Sequence, residues 1–208
     1  MKSFIVLAVA VLAVSFACVD KKDNIIKIAD ISDGNLNVHF QDVVAATYDV
    51  NGKPACVGNR PDLKTPGQVR VISGKATIKN KMDLIKSSTL LATLKKDSWL
   101  IGTVCQDGES KNPLVPSKDC KINLCDMATK LGQSNLCALL ETPGVHTLGE
   151  VEGDVKGFNG TIPIPAITGM IKDVLKGQWQ AEFKLVSNGQ TVAHIKAPSN
   201  EQWIDIDN

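Results

Sequence analysis

The chain has 208 residues, 43% hydrophobic and 22% charged, with 23 Lys and Arg against 22 Asp and Glu, so its formal net charge is +1. That length suits one domain better than two small ones and buries roughly 70% of the unfolded surface. The balanced charge excludes a general nucleic-acid binder and a polybasic membrane anchor, and the hydrophobic share excludes disorder.

The first residues bear on the compartment. Lys2 precedes an apolar run from Phe4 to Ala17, interrupted by Ser15. At about 14 residues the run falls short of the roughly 20 that a spanning helix takes. With Ser15 and Ala17 as the small pair, residues 1–17 read as a secretory signal peptide cut after Ala17. The alternatives are an uncleaved anchor, which the length disfavours, and a lipoprotein signal ending at Cys18, which Ser15 and Phe16 fit poorly.

Most of the chain beyond residue 17 reads as short strands. Leu36, Val38 and Phe40 alternate with Asn37, His39 and Gln41, a period of two. Tyr48 to Val50 leads into a turn at Asn51-Gly52. Leu90, Ala92 and Leu94 alternate, and Trp99, Ile101 and Thr103 lead toward Cys105; core packing is the expectation for Trp99. A short helix is expected over Asp126 to Leu131, stopped by Gly132. His146 follows Pro143-Gly144 in an expected loop, and Glu150, Glu152 and Asp154 form a small acidic cluster read as a solvated loop. Asn159-Gly160-Thr161 is a glycosylation sequon.

Ile162-Pro163-Ile164-Pro165 is extended, because proline drives its predecessor out of the helical region. Beyond it, Ile167, Met170, Ile171, Val174 and Leu175 recur at helical spacing, and Gly177 ends the pattern. This stripe reads either as a helix packed on the core or as a movable apolar flap. Trp179, Ala181, Phe183 and Leu185 then face one way and Gln180, Glu182 and Lys184 the other. Asn188-Gly189 turns the chain back through Thr191 to Lys196, a strong hairpin signal because both turn positions want positive φ. Five Phe, three Trp and one Tyr are few, so any large apolar interior must be lined mainly by aliphatic side chains. Strands with turn signals and one or two short helices predict an all-β antiparallel sandwich or cup.

Six cysteines in a secreted chain predict disulfides, with 15 connectivities open to them. Proximity favours Cys105–Cys120 and Cys125–Cys137, which leaves Cys18–Cys56. A zinc site built from Cys120, Cys125 and Cys137 is the alternative, although it lacks a close Cys pair or a paired His.

Catalytic motifs are missing. The three histidines, His39, His146 and His194, belong to no nucleophile elbow or papain-like signature, and no phosphate loop, dinucleotide fingerprint or metalloprotease motif occurs. A glycosidase-like carboxylate pair is a three-dimensional property that spacing does not reveal. The expectation is a protein without catalysis of its own, cofactor or metal.

From about Pro61 to Ala197 the order of motifs resembles the ganglioside activator proteins of the ML lipid-recognition group. Pro61-Asp62-Leu63-Lys64-Thr65-Pro66-Gly67 followed by Gln68-Val69-Arg70-Val71 looks like that family's approach to a strand. Leu90 to Lys96, then Trp99-Leu100-Ile101 and Cys105, looks like its strand leading to Trp and Cys. Leu124-Cys125-Asp126 opening a short helix, the Ile162-Pro163-Ile164-Pro165 segment, the flap, Gly177-Gln178-Trp179 and the Asn188-Gly189 turn keep the family order. The family's cysteine on the last hairpin strand has no counterpart near Ala193 and His194.

The resemblance implies a β-cup around an apolar lipid cavity, formed by residues 61–208 as one domain with the N-terminal extension and first strands at 18–60. It implies a lipid or glycolipid ligand, transient contact with a membrane surface, a glycosidase as candidate partner, and a secreted or endolysosomal location. Ile167, Met170, Ile171, Val174 and Leu175 are then the residues expected to touch lipid or membrane. Trp179, placed at the rim, and Phe183 come next. Two other classes stay open: a secreted adhesion or signalling sandwich with a filled core, and a small secreted hydrolase. The hydrolase would need a histidine with a nucleophile or carboxylate partner in a polar cleft.

Overall fold

The computed structural model describes residues 18–148, 160–167 and 171–207. The expected signal segment 1–17, the Glu150, Glu152 and Asp154 cluster, the sequon at Asn159 and the flap residue Met170 lie outside the described residues.

The strands run β1 (Ile25–Asp30), β2 (Val38–Asp49), β3 (Cys56–Val57), β4 (Arg60–Lys64) and β5 (Gly67–Ile78). Helix α1 (Leu84–Ser87) precedes β6 (Ser88–Lys96), β7 (Thr103–Gln106), β8 (Glu109–Ser110) and β9 (Lys121–Ile122). Helices α2 (Leu124–Lys130) and α3 (Asn135–Glu141) follow, then β10 (Gly144–Thr147), β11 (Thr161–Ile164), α4 (Ile171–Leu175), β12 (Gly177–Ser187), β13 (Gln190–Ala197) and β14 (Ile204–Asp207). The chain is therefore all-β in class, with short helices and three disulfides.

One antiparallel path runs β10-β5-β2-β1-β13-β12. Residues 181–187 of β12 pair with β13 on one edge and β6 on the other, so the sheet continues through β6 to β7 and β9. Strand β11 extends the β5 edge, Thr161 opposite Arg70. Strand β14 lies on β12 at Trp179↔Ile204 and runs parallel to β4. The sheet curls, and the right-handed twist of its strands makes that curl natural. Asn188 and Gly189 take φ of 49° and 77°, the left-handed pair that the β12–β13 turn requires.

Two apolar cores share the inner face of the curl. Val38, Ile78, Leu84, Leu139 and Leu185 belong to the first, and Val104, Val115, Val174 and Trp179 to the second. Cys125–Cys137 ties α2 to α3 inside the first core, Cys105–Cys120 is buried in the second, and Cys18–Cys56 ties the segment before β1 to β3. Cys120, Cys125 and Cys137 are all consumed by these bonds, which overturns the zinc alternative: no thiolate is left among them to bind metal.

Four expectations need correction. Trp99 is not core: it is 91% exposed. Nor does a strand run from it, because Gly102 turns with φ 54° and donates its N–H to Ser98 O at 2.8 Å, putting Trp99 and Leu100 at the tip of the β6–β7 hairpin. His146 is not in a loop but on β10, buried against the sheet. At the flap the described helix is Ile171–Leu175 with Ile167 outside it, and α1 and α3 add two short helices that the periodicity reading missed.

Candidate functional site

The inner face of the curl does not close on itself. It leaves an apolar cavity of about 220 Å³ within the first core. The sheet wall supplies Ile28 from β1, Phe40 and Val43 from β2, Val71 from β5, and Leu90 from β6. Phe183 and Leu185 come from β12, with Ala193 and Ile195 from β13, and Ile162 from β11. Period-two alternation puts these side chains inward and leaves Glu182, Lys184, His194 and Lys196 on the outer face.

The side between the β5 and β6 edges is filled by the helix pair. Leu124 of α2, and Leu136, Leu139 and Leu140 of α3, project into the cavity, with Leu148 beside them. Asn123 caps α2 by accepting the Asp126 N–H at 2.9 Å, and Gly132, at φ 72°, ends it. Leu136, Leu139 and Leu140 stand at i, i+3 and i+4, the one apolar face that α3 has room to bury. Gln133 donates its side-chain N–H to Thr161 O at 2.6 Å, fastening the α2–α3 turn to β11. Among the described residues every side chain that lines the cavity is apolar.

The residues singled out by the sequence fall into two places. Phe183 lines the cavity. Val174, Leu175 and Trp179 instead pack together in the second core. Trp179 is 4% exposed and its indole N–H donates to Leu175 O at 2.6 Å, which binds α4 to β12 and takes the ring away from any rim. Lys96 donates to Val174 O at 2.7 Å and lies 5.6 Å from the Trp179 ring centroid; burial holds its ammonium below the usual lysine range. Ile167 is half-buried ahead of α4, and Ile171 opens that helix.

A second surface was missed by reading Trp99 as core. Trp99 and Leu100 are 91% and 73% exposed on their hairpin tip, while Ile101 next to them is packed on the second core. Val115 anchors the neighbouring loop in that same core and leaves Leu114 66% exposed. The exposed apolar side chains are thus carried on anchored backbone, with Lys95, Lys96 and Lys111 close by in the chain.

Fold and site together define a disulfide-bonded all-β protein enclosing an apolar cavity. No family model matches the chain, and no curated protein matches it.

Proposed function

We propose that this protein binds and carries lipid, receiving the apolar part of the lipid in the cavity. The observation that carries this reading is a cavity of about 220 Å³ whose lining side chains, among the described residues, are all apolar. Protein interiors are normally close-packed. An apolar ligand that fills this space gains about 0.8 kcal/mol per buried methylene. An apolar cavity of about 150 Å³ already accepts benzene, so this one suits one apolar chain or part of one.

Loading requires contact with a bilayer. The Trp99–Leu100 tip supports that step, since an indole beside an aliphatic side chain and lysines suits the headgroup boundary. Three disulfides support an oxidising, secreted or lumenal setting, and among the described residues no helix is long and apolar enough to cross a membrane.

The test is extraction of the purified protein with organic solvent and mass spectrometry of the extract, before and after incubation with mixed-lipid vesicles. Lipid recovered in stoichiometric amount supports the reading. No lipid before incubation and no uptake after it refutes it.

A further inference from the structure

A second pocket lies beside the first half of β1. Strand β13 pairs with β1 at Ala29↔Lys196 and Asp30↔Ile195, and the chain leaves that ladder after Ala197. It then crosses from β1 toward β4 and enters β14, which runs beside β4. Two hydrogen bonds hold the crossing segment. Ser199 donates its N–H to Lys27 O at 2.7 Å, and the Gln180 side-chain amide donates to Gln202 O at 3.0 Å.

Between this segment and the two strands is a space of about 190 Å³. Ile25 of β1, Pro61 of β4 and Pro198 give it aliphatic walls, and Trp203 adds an indole. Among the described residues its lining shares no member with that of the apolar cavity. Trp203 is half-buried and belongs to neither apolar core.

The polar part of the lining is rich in donors. Asn200 Oδ1 accepts the Gln202 N–H at 3.1 Å, which commits the oxygen of that amide and leaves its NH2 to donate. The Trp203 indole N–H and the Asn200 NH2 have no partner among the described residues. Lys27 brings a positive charge, and no carboxylate lines the pocket among the described residues. The neighbouring cations are neutralised: Lys196 lies 3.2 Å from Glu201, and Arg60 lies 2.8 Å from Asp205. The Lys27 ammonium has no such pairing among the described residues.

We infer that this pocket is a binding site for a small aromatic carboxylate, its ring against Trp203 and the two prolines and its carboxylate on Lys27 and the Asn200 amide. The class follows from three features. An apolar space of about 150 Å³ holds one benzene ring, so this pocket takes a single ring and its carboxylate but not a long chain. A carboxylate only accepts, which suits a lining of donors with one cation, and hydrogen bonds to an ionised acceptor are the stronger kind. A sugar would need acceptors as well, and Asn200 Oδ1 is already committed. A cationic ligand would meet Lys27 with no carboxylate among the described lining to offset it.

The test follows the indole N–H signals of the three tryptophans by NMR in the disulfide-bonded protein, the Trp203 signal being the one lost in Trp203→Phe. The probes are benzoate, benzamide as its neutral counterpart, acetate as the charge without the ring, and methyl glucoside as a neutral polyol. Benzoate should shift the Trp203 signal saturably, with a dissociation constant of about 1 mM or tighter, and leave those of Trp99 and Trp179 in place. Benzamide and acetate should each bind at least about tenfold more weakly. Lys27→Gln changes an exposed side chain, so the variant folds, and it should lower benzoate affinity to that of benzamide. No saturable shift of the Trp203 signal by benzoate overturns the proposal. So does equal binding of benzoate and benzamide, of benzoate and acetate, or of benzoate to parent and Lys27→Gln. Methyl glucoside binding as tightly as benzoate would show a sugar site in its place. None of these outcomes bears on lipid uptake by the apolar cavity.

Discussion

At the scale of single residues, Asp30 and Trp99 carry the clearest consequences. Four donors converge on the Asp30 carboxylate: the Ser32 N–H and hydroxyl, the Phe40 N–H and His39 Nδ1. Its folded-state pKa lies below the ordinary 3.8, so the folded chain binds this proton less readily than the unfolded chain does. The stability it supplies is therefore complete above the ordinary carboxylate range and drains away as pH falls through that range toward the depressed value. Asp30→Asn should lower stability at neutral pH by about 1–3 kcal/mol and flatten this part of the acid limb, read from denaturant melts across pH. An acid limb identical to that of the parent protein would refute the assignment. Trp99→Ala removes a side chain that buries almost nothing, so stability should move by less than about 0.5 kcal/mol. Vesicle co-sedimentation should nevertheless fall several-fold; undiminished sedimentation would remove the tip from the loading step. Neither residue was legible in sequence. Trp99 alternates with Ile101 and Thr103 like a strand, and only the Gly102 turn reverses it. Asp30 and His39 are nine positions apart, and it is the β1–β2 geometry that brings them together.

At the scale of elements, α2 and α3 close one side of the cavity, and the Cys125–Cys137 bond makes them one unit. The cysteines are separated by 12 positions, and a closed loop of that size restrains the unfolded chain by about 3 kcal/mol. Replacing both by Ala should reduce stability by about 2–3 kcal/mol. Release of the apolar fluorophore N-phenylnaphthylamine from the cavity should quicken, because the helices can then part. Slower unfolding or unchanged release, by stopped-flow fluorescence, would show that the pair does not govern access. Helix α2 was legible because a short helical run ends at Gly132, while its Asn123 cap was seen only in the structure. Helix α3 has its signal in Leu136, Leu139 and Leu140, but seven residues give too little length for periodicity to separate it from a loop. The flap stripe is apolar and helical in spacing. Among the described residues its helix is Ile171–Leu175, and Val174 and Leu175 turn to Trp179 and the second core. Periodicity reports that a face is buried but not which partner buries it.

At the scale of the whole molecule, one sheet face serves two interiors. Along β12, Phe183 and Leu185 face the cavity while Trp179 enters the second core, and along β6 Leu90 and Leu94 divide the same way. The alternation that marks these strands was plain in the sequence, and so was the all-β class. The division was not, since it depends on how the sheet curls and where the helices fill it. The central claim is that the first interior is left unfilled to receive lipid. Ala193 lines that space and is 3% exposed, so Ala193→Phe directs a ring into the void without touching the outer surface. Benzene fits an apolar void smaller than this one, so the variant should fold with stability equal to or above that of the parent. The decisive measurement is lipid uptake from mixed-lipid vesicles, by mass spectrometry of the re-isolated protein, for the parent and Ala193→Phe side by side. The account predicts stoichiometric lipid on the parent protein and little on the folded variant. Equal uptake by both, or none by the parent, would contradict it.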